Sequence, residues 1–167
     1  MSIPSRHSSA TGTYFVTSRT WQSRALFVTE SFCSVFIDSL LCYRNEGAFA
    51  LHGFVLMPDH FHVLLTPAGD KTLERVVQYI KGGSARRLAL EMNMRFPVWQ
   101  RGFSDHRIRD EVDFASHVRY IDENPVKRRL VVAARDYRWS SASGLYALDA
   151  FPQGLKPQGQ EAAGRHG

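Results

Sequence analysis

The sequence predicts an α+β fold, an antiparallel sheet with helices packed against it. Three observations predict it. The 167 residues suit a single domain. Apolar spacing switches between a period of two and a period of 3.6 in the order β-α-β-β-α-β-α. Two of the strand-like runs are joined by so short a turn that they must pair antiparallel. With 44% hydrophobic and 22% charged residues, the chain is too apolar to be disordered. No break in composition divides residues 13–146, so one domain over 13–150 is expected. A Ser-rich tail at 1–12 and a tail at 151–167 with two Pro and four Gly should flank it.

Taken in order, residues 13–17 (TYFVT) are aromatic and β-branched and read as a strand. Residues 28–44 place Phe32, Val35, Phe36, Ser39, Leu40 and Tyr43 at helical spacing, with Thr29 as N-cap and Gly47 past the end. Residues 49–56 and 61–66 are apolar runs separated by Met57-Pro58-Asp59-His60, where Pro and Asp favour a turn, so they form a hairpin. Residues 72–93 read as a basic helix interrupted at Gly82-Gly83, and residues 99–109 as an extended segment returning to the sheet. Asp110 with Asp113 resembles a capping box opening a helix whose apolar face is Phe114, Val118 and Ile121. Asn124-Pro125 is expected to end that helix, because a residue before proline avoids the α region. Residues 126–132 then extend or cover a sheet edge, and Ser140-Ser141 caps a last short helix. Cys33 and Cys42 lie about 13 Å and half a rotation apart on one helix. They cannot bridge and are read as reduced.

Twenty-one basic against sixteen acidic side chains give a net charge of +5, and residues 71–140 carry fifteen and nine of them, so the excess is confined to that stretch. Such a balance suggests a polyanionic partner or a basic surface. Seventeen of the basic residues are Arg, which forks onto phosphate and stacks on bases. Lys81, Arg86 and Arg87 on the second long helix, with Arg107 and Arg109 on an extended segment, are candidates to track a DNA backbone. Tyr14, Trp21 and Trp99 are candidates for base stacking, although aromatic residues in strands more often belong to the core. No run of about 18 apolar residues exists and residues 1–12 are polar, so neither a membrane span nor a secretory signal is expected, and a cytoplasmic location follows.

Two polar constellations could carry chemistry. In His60-Phe61-His62 the period of two puts both imidazoles on one face while Phe61 and Val63 point into the core, which makes a ready pair of metal ligands. Sixty residues on, Tyr120 and Asn124 stand one helical turn apart, with Asp113 and His117 on the same stripe. That stripe offers a phenolic nucleophile beside an amide oxygen. His106 and His117 could assist proton transfer. A neutral phenol, with a pKa near 10, attacks an anionic phosphodiester poorly unless a cation polarises the phosphate. Two imidazoles and one amide oxygen leave open positions on Mg²⁺ or Mn²⁺ for phosphate oxygens.

At this point the chain resembles a known family. His60-Phe61-His62, within the hairpin run FVLMPDHFHVLL of residues 54–65, matches the His-hydrophobic-His signature of the HUH single-tyrosine transposases. Trp99, DHRIR at 105–109, RYIDENPVK at 119–127 and DYRWSS at 136–141 resemble the REP-associated tyrosine transposases in particular. The resemblance covers residues 13–145. It implies a ferredoxin-like or RRM-like HUH endonuclease fold, with Tyr120 as nucleophile and His60, His62 and Asn124 as ligands of Mg²⁺ or Mn²⁺. It also implies cleavage and rejoining of single-stranded DNA at a repetitive extragenic palindrome folded as a hairpin, through a 5′-phosphotyrosine. The partner expected is that DNA, with no membrane and no small-molecule substrate, in a bacterial, nucleoid-associated, monomeric protein. The chain departs from the family at Arg128-Arg129, where a small residue and Gly are common, and at Gly82-Gly83, in a helix usually richer in bases. The alternative is a catalytically idle single-stranded DNA or RNA binder on the same fold. Related HUH replication initiators and relaxases share the His pair but are typically larger.

Overall fold

Alternation along one strand divides the molecule into two halves. The computed structural model describes residues 12–155 and 157. Strands β1 (Tyr14–Arg19), β2 (Phe49–Met57), β3 (His60–Pro67) and β4 (Ser104–Arg107) form one antiparallel sheet in the order β2-β3-β1-β4. The helices are α1 (Glu30–Asn45), α2 (Leu73–Met92) and α3 (Glu111–Lys127), and short 3₁₀ turns follow at Ala134–Asp136 and Ser141–Ser143. With α1 after β1 and α2 after β3, the first six elements make the expected ferredoxin-like arrangement.

Phe61, Val63 and Leu65 of β3 point to one face, where they join Phe36, Leu40, Val76, Val77 and Ile80 of α1 and α2 in the larger core. Trp99 completes that core. Its ring stacks on Phe27 and meets Phe36 and Phe61 edge-on, and its Nε1–H donates to Ser84 Oγ at 3.0 Å. Tyr14 is buried there too, so of the three candidate stacking aromatics only Trp21 is exposed. On the other face, Leu64 with Val55 and Met57 of β2 packs against Ile121 of α3, Ile108 and Tyr137. Phe114 and Val118 flank this second cluster. Tyr137 is fastened by its hydroxyl, which donates to the Leu56 carbonyl at 2.6 Å.

Three local expectations are corrected. Helix α2 runs unbroken through Gly82 and Gly83. A Cβ at Gly83 would collide with the Tyr43 ring, which lies stacked on Tyr79, so this glycine permits a close helix crossing. Helix α3 does not stop at Asn124 but includes Pro125 and ends at Lys127. Proline forfeits one hydrogen bond, yet burial of Ile121, Asn124 and Pro125 holds the last turn, and Arg128 N–H donates to the Asn124 carbonyl at 3.0 Å. Residues 128–132 consequently form no strand. They leave the helix through Arg129, whose φ of 58° is the left-handed conformation that glycine adopts more cheaply. The tail at 1–12 falls outside the described residues except for Gly12, and so does the tail beyond 157. Of the second tail, Phe151 packs edge-on against Phe114. Both cysteines are free, Cys33 buried and Cys42 exposed.

Candidate active site

His60 and His62 share the face of β3 that meets α3. Their ladder partners on β1 are Arg19 and Thr17, so Phe15, Thr17 and Arg19 line the same face beside them. Neither imidazole is solvated. His60 is 2% and His62 4% exposed, and their rings meet edge-on at 4.8 Å between centroids. Phe15 stacks on His62 at 5.1 Å.

Each ring has one nitrogen committed. His60 Nδ1 lies 2.6 Å from Asp59 Oδ1, and His62 Nδ1 lies 2.7 Å from Thr17 Oγ1. Burial raises the Asp59 carboxyl, but the His60 hydrogen bond and the nearby Arg128 and Arg19 outweigh it and hold the group low. A carboxylate only accepts, so His60 carries its proton on Nδ1 and presents Nε2 as a lone pair. The Thr17 hydroxyl, which can donate or accept, shares the hydrogen bond with His62 Nδ1. Burial, reinforced by His60, Arg19 and Arg128, pushes His62 down to about 3. Burial also lowers His60, against the pull of Asp59. Both imidazoles are therefore neutral at physiological pH, the form that binds a metal ion.

Helix α3 lies over this pair. It is started by Asp110, whose Oδ1 accepts from Asp113 N–H at 2.8 Å, and Asp113 in turn accepts from Arg109 N–H instead of closing a reciprocal box. Tyr120, 44% exposed, meets the His62 ring edge-on at 5.3 Å, and Lys127 Nζ sits 5.8 Å over its ring. One turn later Asn124 is buried. His62 Nε2 and Asn124 Oδ1 are buried atoms without a hydrogen-bond partner among the described residues. Ser18 Oγ, Ser39 Oγ and His52 Nδ1 share that condition, but His62 and Asn124 stand on facing elements beside Tyr120, and one divalent cation would satisfy both, so the residues present fit a divalent metal.

A second group, whose members the sequence offers separately and the fold brings together, lies farther along the same face. His106 on β4 pairs with Phe15 on β1, and its Nε2 lies 2.8 Å from Asp113 Oδ2. His117 Nδ1 is 3.2 Å from Asp113 Oδ1 and 2.8 Å from the Asp113 carbonyl. The two imidazoles stack at 4.7 Å, and the ligand atoms of all three residues lie within 4.8 Å of one another, close enough to share a metal ion. Unlike the His60–His62 pair, however, these groups already satisfy each other.

The predicted basic residues divide between the two faces. Arg109 stands at the entrance to α3, 3.6 Å from Asp113 Oδ2, and Arg107 is on β4. Lys81, Arg86 and Arg87 sit on α2, across the sheet from the imidazoles. Lys81 spends its ammonium on the carbonyls of Gln100 and Gly102, at 2.7 and 2.6 Å, and Arg87 pairs with Glu91.

Comparison with known proteins bears on the family and the fold. A REP-associated tyrosine transposase of Escherichia coli is 28% identical over 144 residues, 83% of this chain and 84% of that one. A Haemophilus influenzae protein of the same description is 32% identical over 108 residues, which span 59% of this chain and 61% of its relative. A solved structure of a REP-associated tyrosine transposase bound to a REP hairpin superposes with a TM-score of 0.69 at 27% identity, covering 90% of this chain and 92% of that one. The sequence profile described as "Transposase IS200 like" matches residues 13–124, from the start of β1 to the buried Asn124. The chain belongs to the IS200-like transposase family.

Proposed function

We propose that residues 13–150 form a metal-dependent domain that cleaves and rejoins single-stranded DNA beside a REP-type palindromic hairpin, with Tyr120 as nucleophile. The observation that carries the proposal is the conjunction on α3. A solvent-reachable phenol touches an imidazole whose Nε2 is buried and unpaired, and one turn later the same helix buries an unpaired amide oxygen. Family membership and the hairpin-bound structural relative support the same substrate class.

In this reading His60 Nε2, His62 Nε2 and Asn124 Oδ1 hold Mg²⁺ or Mn²⁺, which when bound supplies the positive charge that polarises the scissile phosphate. Asp59 fixes the tautomer of His60, and Thr17 aims the His62 ring. The Tyr120 oxygen bonds to phosphorus as the bond from phosphorus to the 3′ oxygen breaks, and the electron pair leaves on that oxygen. The phenolic proton passes to water and the 3′ oxygen takes one from water. The products are a 5′-phosphotyrosyl link and a free 3′-OH, and the link conserves the bond energy for rejoining. A flexible strand can be bent into this in-line arrangement more readily than a stiff duplex can. Arg109, beside Asp113 at the entrance to α3, is assigned to a backbone contact, whereas Arg107, opposite Tyr14 in the β1–β4 ladder, alternates to the other face of the sheet.

The test is incubation with a hairpin-bearing single strand labelled at its 3′ end, followed by a denaturing gel. Wild type should retain label as a protein adduct in Mg²⁺ or Mn²⁺ and lose it in excess chelator, and Tyr120→Phe should give none. An adduct that survives in Tyr120→Phe overturns the nucleophile. Tight hairpin binding with no adduct in any metal makes the protein an idle binder, and equal cleavage of the annealed duplex removes the single-strand requirement.

A further inference from the structure

Two guanidinium groups flank the imidazole pair. Arg19 lies opposite His60 in the β1–β3 ladder, and Thr17, two residues earlier on the same strand face, bonds His62. Period-two alternation therefore raises Arg19 on the imidazole face. Arg128 comes from the other side of the site. Its amide donates to the Asn124 carbonyl, so it continues in steps of four along the stripe that carries Tyr120 and Asn124. This placement depends on α3 running through Pro125. Both residues are exposed, and among the described residues neither side chain makes a hydrogen bond or an ion pair within 4 Å. Strand register and the helix repeat thus bring one guanidinium to each side of the imidazole pair.

We propose that Arg19 and Arg128 form a two-armed clamp on the scissile phosphate, one arm from the sheet and one from the nucleophile's own helix. It rests on the transposase reading above. The ligand is an anionic phosphodiester, whose non-bridging oxygens gain charge as phosphorus becomes five-coordinate. Guanidinium is suited to it because its planar fork matches two such oxygens and stays charged throughout. A donor aimed at developing charge acts on the rate more than on ground-state affinity.

The test measures single-turnover adduct formation and hairpin affinity in parallel for wild type, Arg19→Gln, Arg128→Gln, the double Gln variant and the double Lys variant. The double Gln variant should form adduct about 100-fold more slowly, while its hairpin affinity falls by less than about fivefold. The double Lys variant, which keeps charge but loses the fork, should recover part of the rate. Replacing the scissile phosphate by an uncharged methylphosphonate should shrink the gap between wild type and double Gln, because the charge the clamp answers has been removed. The clamp is overturned if the double Gln variant cleaves within about threefold of wild type. It is overturned equally if affinity falls in step with rate, or if the methylphosphonate leaves the gap unchanged. A wild type that forms no adduct overturns the underlying reading and the clamp with it, whereas a wild-type adduct with an unimpaired double Gln variant overturns the clamp alone.

Discussion

Phe61 and His62 are neighbours in one strand, equally withdrawn from water, and they face opposite halves of the molecule. On the α1–α2 side the large rings have found their complement. Phe61 meets Phe36 and Trp99, and Trp99 Nε1 reaches Ser84, although the small hydroxyls of Ser18 and Ser39 are buried there without a partner among the described residues. On the α3 side the unmet groups are of another kind, since the His62 Nε2 and Asn124 Oδ1 atoms that lack a partner among the described residues belong to side chains that ligate metals. An unpaired buried acceptor costs about 1–3 kcal/mol, and a leucine in its place would remove that cost. Burial alone therefore does not separate structure from function. Nor does an orphaned polar atom alone, since Ser18 and Ser39 carry one each; the distinguishing mark is an orphaned imidazole nitrogen and an orphaned amide oxygen on facing elements with a phenol between them.

The largest test of this contrast sets the two faces against each other. Phe61→Ala should cost about 3–5 kcal/mol in urea unfolding, through the cavity it leaves. His60→Ala with His62→Ala should leave the unfolding midpoint near or above that of metal-free wild type and abolish cleavage, a loss of about a thousandfold or more. A double His variant that unfolds like Phe61→Ala while retaining cleavage would reduce the pair to core histidines.

A smaller effect is expected one step from the metal ligands. Thr17→Val keeps the side-chain shape but removes the oxygen 2.7 Å from His62 Nδ1. The ring loses the hydrogen bond that orients it, and metal affinity or cleavage should fall about 10–100-fold, measured by Mn²⁺ titration alongside adduct formation. Wild-type metal affinity in Thr17→Val would mean that packing against Phe15 alone aims the ring.

How much of this was legible in the sequence differs between the two faces as well. Period-two alternation placed both histidines on one face and Phe61 and Val63 on the other, and the spacing of four placed Tyr120 with Asn124. The hairpin and the capping of α3 by Asp110 and of the last turn by Ser140 are local chemistry, and they stand as read, whereas Thr29 precedes α1 without a side-chain cap bond. Local rules failed where tertiary burial overrode them. Pro125 stays helical because its neighbours are buried, and Gly83 is no break because Tyr43 needs the room. Thr17, Arg19 and Asp59 were not legible as site residues, because their roles come from strand register across β1 and β3 and not from any spacing along the chain. Asp59 had one available signal, its place directly before His60 in the turn. The joining of His106 to Asp113 and His117 likewise needs β4 docked beside β1 before the residues can meet.

That second group supplies the smallest test, because it is the part of the α3 face whose needs are met. Burial raises the Asp113 carboxyl, but Arg109 N–H and the two imidazoles outweigh it and hold the group below its ordinary value of 3.8. The folded state thus takes up a proton on Asp113 less readily than the unfolded chain does. The stability this contributes is complete above the unfolded value and is lost as pH falls below about 4 through the folded one. At neutral pH Asp113→Asn should lower stability by about 1 kcal/mol, because Asn still accepts hydrogen bonds but without charge. Urea midpoints from pH 7 downward should show the gap between wild type and variant closing below about pH 4. A gap that stays constant with pH would remove the charge from the explanation. Added divalent cation gives the sharper outcome when the measurement is made with His60 and His62 both replaced by Ala. A self-satisfied clamp predicts no shift in either protein. A midpoint that rises with cation only while Asp113 is present would make His106, Asp113 and His117 a second metal site, and the contrast between satisfied and orphaned groups would no longer tell the two clusters apart.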